Sequence, residues 1–243
     1  GILFNKDKTA ILLYPKSRSG AYTISDTVTT IGDYSFSDCK NLTEIVIGDN
    51  VTSIGSNAFD SCTSLTQVTF GKNVTFIGNS AFYNNKALTE VDLSKCTGLT
   101  TIDNYAFEYN YALTTLTLPD SLQTIGYQAF YNCGNLTALE IGSNLTLIDE
   151  YAFQNCDSLK TVNIKGGNNA TIDYSAFYSC NNLESVTIGN GVKTIGSYAF
   201  EYCDKLKEVK IGDDMFISFF AIFSPEELYV YKTFLFNTVI YLS

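Results

Sequence analysis

The chain has 243 residues, 45% of them hydrophobic, enough to bury roughly 70% of the extended-chain surface in one domain or two. It contains no His and no Trp but 17 Tyr and 17 Phe, which excludes Ser-His-Asp and Cys-His catalysis, a His general base and mixed Cys/His zinc sites. Fifteen basic against 25 acidic residues give a net charge of −10, the wrong sign for gripping a phosphate backbone, so nucleic acid is not an expected partner.

No signal peptide is legible from Gly1 onward. Residues 1–24 read as an N-terminal cap: Ile2 to Tyr14 forms a hairpin around Asn5-Lys6-Asp7-Lys8, and Ala21 to Ile24 is the strand of a partial repeat. Residues 25–212 then read as eight repeats. The segment Ile-Gly-x-x-Ala-Phe recurs with Ile at 31, 54, 77, 102, 125, 148, 172 and 195, at intervals of 23, 23, 25, 23, 23, 24 and 23. Eleven residues after each Ile stands a Leu, at 42, 65, 88, 113, 136, 159, 183 and 206, which opens Leu-x-x-(Val/Leu/Ile)-x-(Ile/Leu/Phe). A repeat this short cannot close its own core, but stacked copies bury a continuous one, so the period predicts a solenoid.

The Leu pattern alternates with a period of two and predicts a short strand with one face inward. Its outward positions, among them Glu44, Glu90, Asp92, Thr115, Thr117 and Glu140, are expected to align as parallel rows about 35 to 40 Å long. The Gly or Asp after each Ile predicts a tight, left-handed turn. The small residue and Phe that follow predict a close backbone approach, a stacked aromatic spine and one turn of α or 3₁₀ helix. Two insertions, Leu93 to Leu99 and Lys165 to Asn169, are expected to protrude as small loops.

Residues 213–243 read as a degenerate repeat and a hydrophobic cap, with Ile217 to Phe223 echoing the Ile-Gly-x-x-Ala-Phe unit. The apolar stretches Met215 to Phe223 and Leu228 to Leu242 both fall short of the roughly 18 to 20 residues of a spanning helix. A membrane-proximal or partner-binding segment is the other reading of this end.

Six of the seven Cys (39, 62, 133, 156, 180 and 203) occupy one repeat position, where Asn85 and Asn110 also occur. A position that accepts Cys or Asn reads as an inward one where a small side chain meets a backbone group. The expectation is a ladder of free thiols, with disulfides between neighbouring repeats as the alternative and Cys96, in the insertion, as the exposed thiol. No C-x-x-C pair exists, so no metal site is expected. Glu90 and Asp92 share a strand face, as paired carboxylates for glycoside hydrolysis would, but a flat solvated face offers nothing to raise a pKa. No catalytic residue and no cofactor is therefore expected. N-x-Ser/Thr sequons at Asn41, Asn50, Asn73, Asn135, Asn144 and Asn169 permit N-glycosylation.

The unit Leu-x-x-Val-x-Ile-x-x-x-Val-x-x-Ile-Gly-x-x-Ala-Phe-x-x-Cys, seen across about residues 21–212, resembles the BspA-like leucine-rich repeat family. Ser224 to Lys232 is similar to the Pro-to-Tyr-Lys segment that follows the last repeat in that family. The resemblance implies a mainly β, horseshoe-like leucine-rich repeat solenoid with a parallel sheet on one face and turns or short helices on the other. It also implies a non-catalytic, cell-surface or secreted adhesin-like protein that binds a host matrix or cell-surface protein, held at a membrane only by an anchor outside this sequence. An intracellular or structural scaffold for protein–protein interaction, with a cytoplasmic location, is the alternative. The expected contacts are the mid-sheet residues Glu90, Asp92, Thr115, Thr117 and Glu140, with Tyr83, Tyr109, Tyr131, Tyr178 and Tyr202 as a second surface.

Overall fold

Each repeat has two short apolar–polar alternations separated by turns, and the chain coils so that each alternation stacks on its counterpart in the next repeat. The computed structural model describes residues 1–167, 169–212, 216–217 and 239–241. Among these the solenoid is mainly β, with two strand-bearing sides and a third side of turns, and it contains no helix.

One side is a ladder centred on the repeated Ile. Ala10–Leu13, Thr30–Ile31, Ser53–Ile54, Phe76–Ile77, Thr101–Ile102, Thr124–Ile125, Leu147–Ile148, Ala170–Ile172, Val192–Ile195 and Phe216–Ile217 pair in parallel, and Leu3–Phe4 adds antiparallel to Ala10–Leu13. Every Ile pairs with the next Ile, as Ile54 with Ile77. The sequence reading placed a tight turn at the Gly or Asp after each Ile and assigned no strand to the residues before it, so this ladder, the longer of the two, is an addition to that reading. Its strands are mostly two residues long, too short to register as a period-two pattern in one repeat.

The expected strands form the second side. Gly20–Thr23, Leu42–Val46 and Gln67–Thr69 pair, as do Glu90–Asp92 with Thr115–Thr117. A third block joins Ala138–Ile141, Thr161–Ile164, Ser185–Ile188 and Glu208–Ile211, with Val239–Tyr241 antiparallel at its edge. The rows are thus interrupted rather than continuous.

The third side is built from alternating turns. Two positions per repeat have left-handed backbone without being Gly: Tyr34 and Asp38, Asn57 and Ser61, Ser80 and Asn84, Tyr105 and Tyr109, and so on to Tyr198 and Tyr202, with φ between 51° and 61°. Left-handed backbone disfavours L side chains. Here it turns the N–H along the solenoid axis, so that Asn57, Phe59 and Ser61 donate to the carbonyls of Asn79, Ala81 and Tyr83 in the next turn. The Gly after each Ile is not left-handed, against expectation. Where this residue is Gly it permits close approach, since a Cβ on Gly78 or Gly196 would meet backbone of the preceding turn at 3.0 and 2.7 Å, whereas Asp103, Asp149 and Asp173 hold the same position in other repeats. Turns replace the expected helical segment because each left-handed residue sends its hydrogen bond between repeats.

The inward Leu, Val, Ile and Phe residues merge into one core along the whole solenoid. Phe36, Phe59, Phe82, Phe107, Phe130, Phe153, Phe177 and Phe200 stack with centroids 4.7 to 5.2 Å apart. Tyr14 starts the column 4.7 Å from Phe36. The strand spacing sets this separation, and from Phe59 onward neighbouring rings lie within 7° of parallel.

All seven Cys are free and buried. The Sγ of Cys62, Cys133, Cys156, Cys180 and Cys203 donates to the carbonyl of the Phe one repeat back, at 3.1 to 3.5 Å. Cys96 is also fully buried, which overturns its expected exposure. In its insertion Leu93, Cys96 and Leu99 all turn inward, and Cys96 Sγ donates to the carbonyl of Gly71 at 3.4 Å. The insertion therefore adds to the core instead of forming a purely solvated loop. Apart from Phe216–Ile217 and Val239–Tyr241, residues 213–243, including the expected Ile217 to Phe223 echo and the Pro-to-Tyr-Lys segment, lie outside the described residues.

Candidate functional site

With the core filled, what remains for recognition is the outward half of each alternation. Glu90, Asp92, Thr115, Thr117 and Glu140 are all exposed. Parallel register sets Glu90 beside Thr115 and Asp92 beside Thr117, so these four form one compact patch. Glu140 lies on the neighbouring strand, in a separate ladder, where it pairs with Asn163 and accepts a hydrogen bond from its Nδ2 at 2.8 Å. The Asp92 carboxylate accepts the backbone N–H of Ser94 at 2.9 Å, and hydrogen bonding from Ser94 holds its pKa below the usual carboxylate range. A carboxylate so held is charged at neutral pH and suited to electrostatic contact rather than proton donation.

Threonine hydroxyls edge these strands. The Oγ1 of Thr66, Thr114 and Thr137 donates to the carbonyl of Thr43, Thr89 and Thr114, one repeat back, at 3.0 to 3.4 Å. The edge is held in register by side chains as well as by the ladder.

The sequon residues Asn41, Asn50, Asn73, Asn135, Asn144 and Asn169 are exposed. Three of them repeat one contact, since Nδ2 of Asn50, Asn73 and Asn144 donates to the carbonyl of Asp26, Asp49 and Asp120 at 2.7 to 2.8 Å. Their spacing thus has a structural role in joining turns.

The turn side carries two rows of tyrosine. Tyr83, Tyr109 and Tyr131 meet edge to face at 5.5 and 5.7 Å, and Tyr178 meets Tyr202 at 5.1 Å. A second row, Tyr105, Tyr127, Tyr151, Tyr174 and Tyr198, runs through five repeats at 5.3 to 5.8 Å with planes 77° to 87° apart. The sequence reading missed this row, although its signal is present. Counted from the repeat Ile, the Tyr alternates between the third and second following residue, and that offset turns each ring edge-on to the next.

Among the described residues Glu108 is the buried carboxylate, 6% exposed, and desolvation pushes its pKa up to about 7. Among the described residues no group of three or more Cys, Asp and Glu is placed to hold a metal ion, and no helix is long and apolar enough to cross a membrane.

A family profile described as the BspA type leucine-rich repeat region, in six copies, matches residues 16–110 and 100–224. No curated protein matches the chain. The leucine-rich repeat protein of T. pallidum superposes with a TM-score of 0.58 at 23% identity, over 85% of this chain and 87% of that one. A leucine-rich repeat protein from Bacteroides ovatus gives 0.44 at 21% identity, over 89% and 76%. The pneumococcal vaccine antigen PcpA gives 0.48 at 18%, over 87% and 73%. The likeness to the T. pallidum protein is one of solenoid fold.

Proposed function

The chain belongs to the BspA-type leucine-rich repeat family, and from that premise we propose that it is a cell-surface or secreted adhesin-like protein that engages a host matrix or cell-surface protein through its sheet side. The observation that carries this reading is the register of Glu90 with Thr115 and Asp92 with Thr117, four exposed polar side chains on paired strands over a filled core. The backbone of such a surface is preorganised, which lowers the conformational entropy the protein loses when a partner binds. A fixed carboxylate beside branched hydroxyls favours a polar, positively charged partner surface. A repeat solenoid of this kind is consistent with a scaffold for protein interaction, and the leucine-rich repeat family is generally non-catalytic.

The alternative of a cytosolic scaffold drew on free thiols, which suit a reducing compartment. With every Cys buried, the thiols are shielded from oxidant in either compartment and do not favour the cytosol. The test compares the purified protein with a variant carrying Asp92→Arg, Thr115→Arg and Glu140→Arg on immobilised extracellular matrix and on intact epithelial cells. Binding by the wild type, lost in a variant with an unchanged circular dichroism spectrum, supports the reading. Equal binding by both, or none by the wild type, refutes it.

A further inference from the structure

We infer that the turn side around Glu108 is a docking site for a basic side chain, lysine or arginine, of a partner polypeptide, with Tyr83, Tyr109, Tyr111 and Tyr131 as its aromatic walls and the Glu108 carboxylate as counter-charge. The inference concerns a different side of the solenoid from the sheet-side reading and stands independently of it.

Four observations converge. First, Tyr109 lies at the centre of a cluster, 5.5 Å from Tyr83, 5.8 Å from Tyr111 and 5.7 Å from Tyr131 by ring centroid. Tyr111 is 44% exposed and stands at the mouth of the cluster. Rings with accessible faces attract cations through the quadrupole, most strongly where water is thinned.

Second, Glu108 sits among these rings with no ion pair among the described residues. The ionisable groups that sense it are Tyr83 from the preceding turn, Tyr109 beside it, and Tyr127 and Cys133 from the following turn, none of them cationic. Its neighbour Tyr109 hydrogen-bonds the carboxyl, and burial favours the neutral form. An arriving cation would reverse that preference.

Third, the turn that bears Glu108 and the three that follow it carry one sign of charge, while the preceding turn, 78–87, carries Lys86. The segments 103–112, 126–135, 149–158 and 173–182 contain Asp103, Glu108, Asp149, Glu150, Asp157 and Asp173 but no Lys or Arg. The field over this side steers a basic segment toward the cluster.

Fourth, the backbone does not demand a ring at Tyr109. At its left-handed position, φ 61°, other repeats place Asn84, Asn132 and Asn155, which tolerate this conformation better than a bulky aromatic, and one places Tyr202.

The site is also held rigidly. Asn110 Nδ2 donates to the carbonyls of Phe82 at 2.9 Å and Phe107 at 2.7 Å, and Asn84 N–H donates to the Glu108 carbonyl at 2.8 Å, so the turn bearing Glu108 is fixed to the core.

The test titrates capped trilysine into protein with isotope-labelled tyrosine rings, followed by NMR, beside the same peptide with its side-chain amines acetylated. The expected result is a saturable shift concentrated on Tyr83, Tyr109, Tyr111 and Tyr131. Affinity should fall at least fivefold in Glu108→Gln and in Tyr111→Ala, and should vanish for the acetylated peptide. Wild-type affinity should also weaken between pH 8 and 6 while that of Glu108→Gln stays level. Shifts spread over all faces, or an unchanged affinity in Glu108→Gln, would mean diffuse attraction to an acidic protein and would overturn the inference. Tyr111 is exposed, so its variant keeps the fold even if Glu108→Gln perturbs its turn.

Discussion

The Nδ2 of Asn85 donates to the carbonyl oxygen of Phe59 at 3.0 Å, filling the role that Cys62 Sγ fills toward Phe36 at 3.1 Å one repeat earlier. Both side chains donate to the Phe carbonyl, the thiol more weakly, and they differ as acceptors. Asn85 Oδ1 and Asn110 Oδ1 are buried without a partner, whereas a thiol leaves no carbonyl oxygen to satisfy. A buried orphan acceptor costs about 1–3 kcal/mol. Asn85→Cys is therefore expected to stabilise the protein by about 1–2 kcal/mol, read as a higher urea midpoint at unchanged slope. A lower midpoint would show that Oδ1 has a partner in solution, such as a buried water.

The thiols give a second prediction. Desolvation raises the pKa of Cys133, Cys156 and Cys180, and that of Cys96 to about 11, so none of these four is appreciably thiolate at neutral pH, while Cys39, whose pKa a hydrogen bond with Cys62 lowers, is shielded by complete burial. A thiol reagent at pH 7.5 should leave the native protein nearly unlabelled and should label all seven Cys in denaturant. Two or fewer labelled in denaturant would mean disulfides.

Glu108 links pH to stability. Its carboxyl pKa is raised from 4.5 to about 7, so the folded chain binds this proton more tightly than the unfolded chain does. The resulting stability is fully present below about pH 4.5 and is lost as pH rises through about 7. Glu108→Gln keeps the neutral form at every pH. It should match the wild type near pH 4.5 and exceed it by about 1–3 kcal/mol at pH 8, in paired chemical denaturations. A pH-independent difference would contradict the burial of this carboxyl.

The repeat, the phenylalanine column and the inward Cys/Asn position were legible in the sequence because each is a single residue type at a fixed spacing. What escaped depends on relations between turns. The Ile ladder pairs two-residue strands such as Ser53–Ile54 and Phe76–Ile77, which have no periodicity inside one repeat and become a sheet only on stacking. The burial of Cys96 follows from Leu93 and Leu99 anchoring both ends of its insertion, a constraint that reading the insertion as extra length does not reveal. Left-handed Tyr105 and Tyr109 escaped because their strain is relieved by bonds to Tyr127 and Tyr131 in the next turn. For the candidate binding patch the alternation placed Glu90, Asp92, Thr115 and Thr117 on the outside, but the separation of Glu140 into another ladder is a matter of backbone pairing between turns.

The claim that the sheet side is the recognition surface is tested most directly by carboxyl labelling. Carbodiimide-driven coupling of glycine ethyl ester, quantified by mass spectrometry, would be run on the protein alone and on matrix to which it is bound. The account predicts that Glu90, Asp92 and Glu140 lose labelling in the bound protein while Asp149, Glu150 and Asp173 on the turn side keep theirs. Unchanged labelling at Glu90 and Asp92, with protection appearing on the turn side instead, would contradict it.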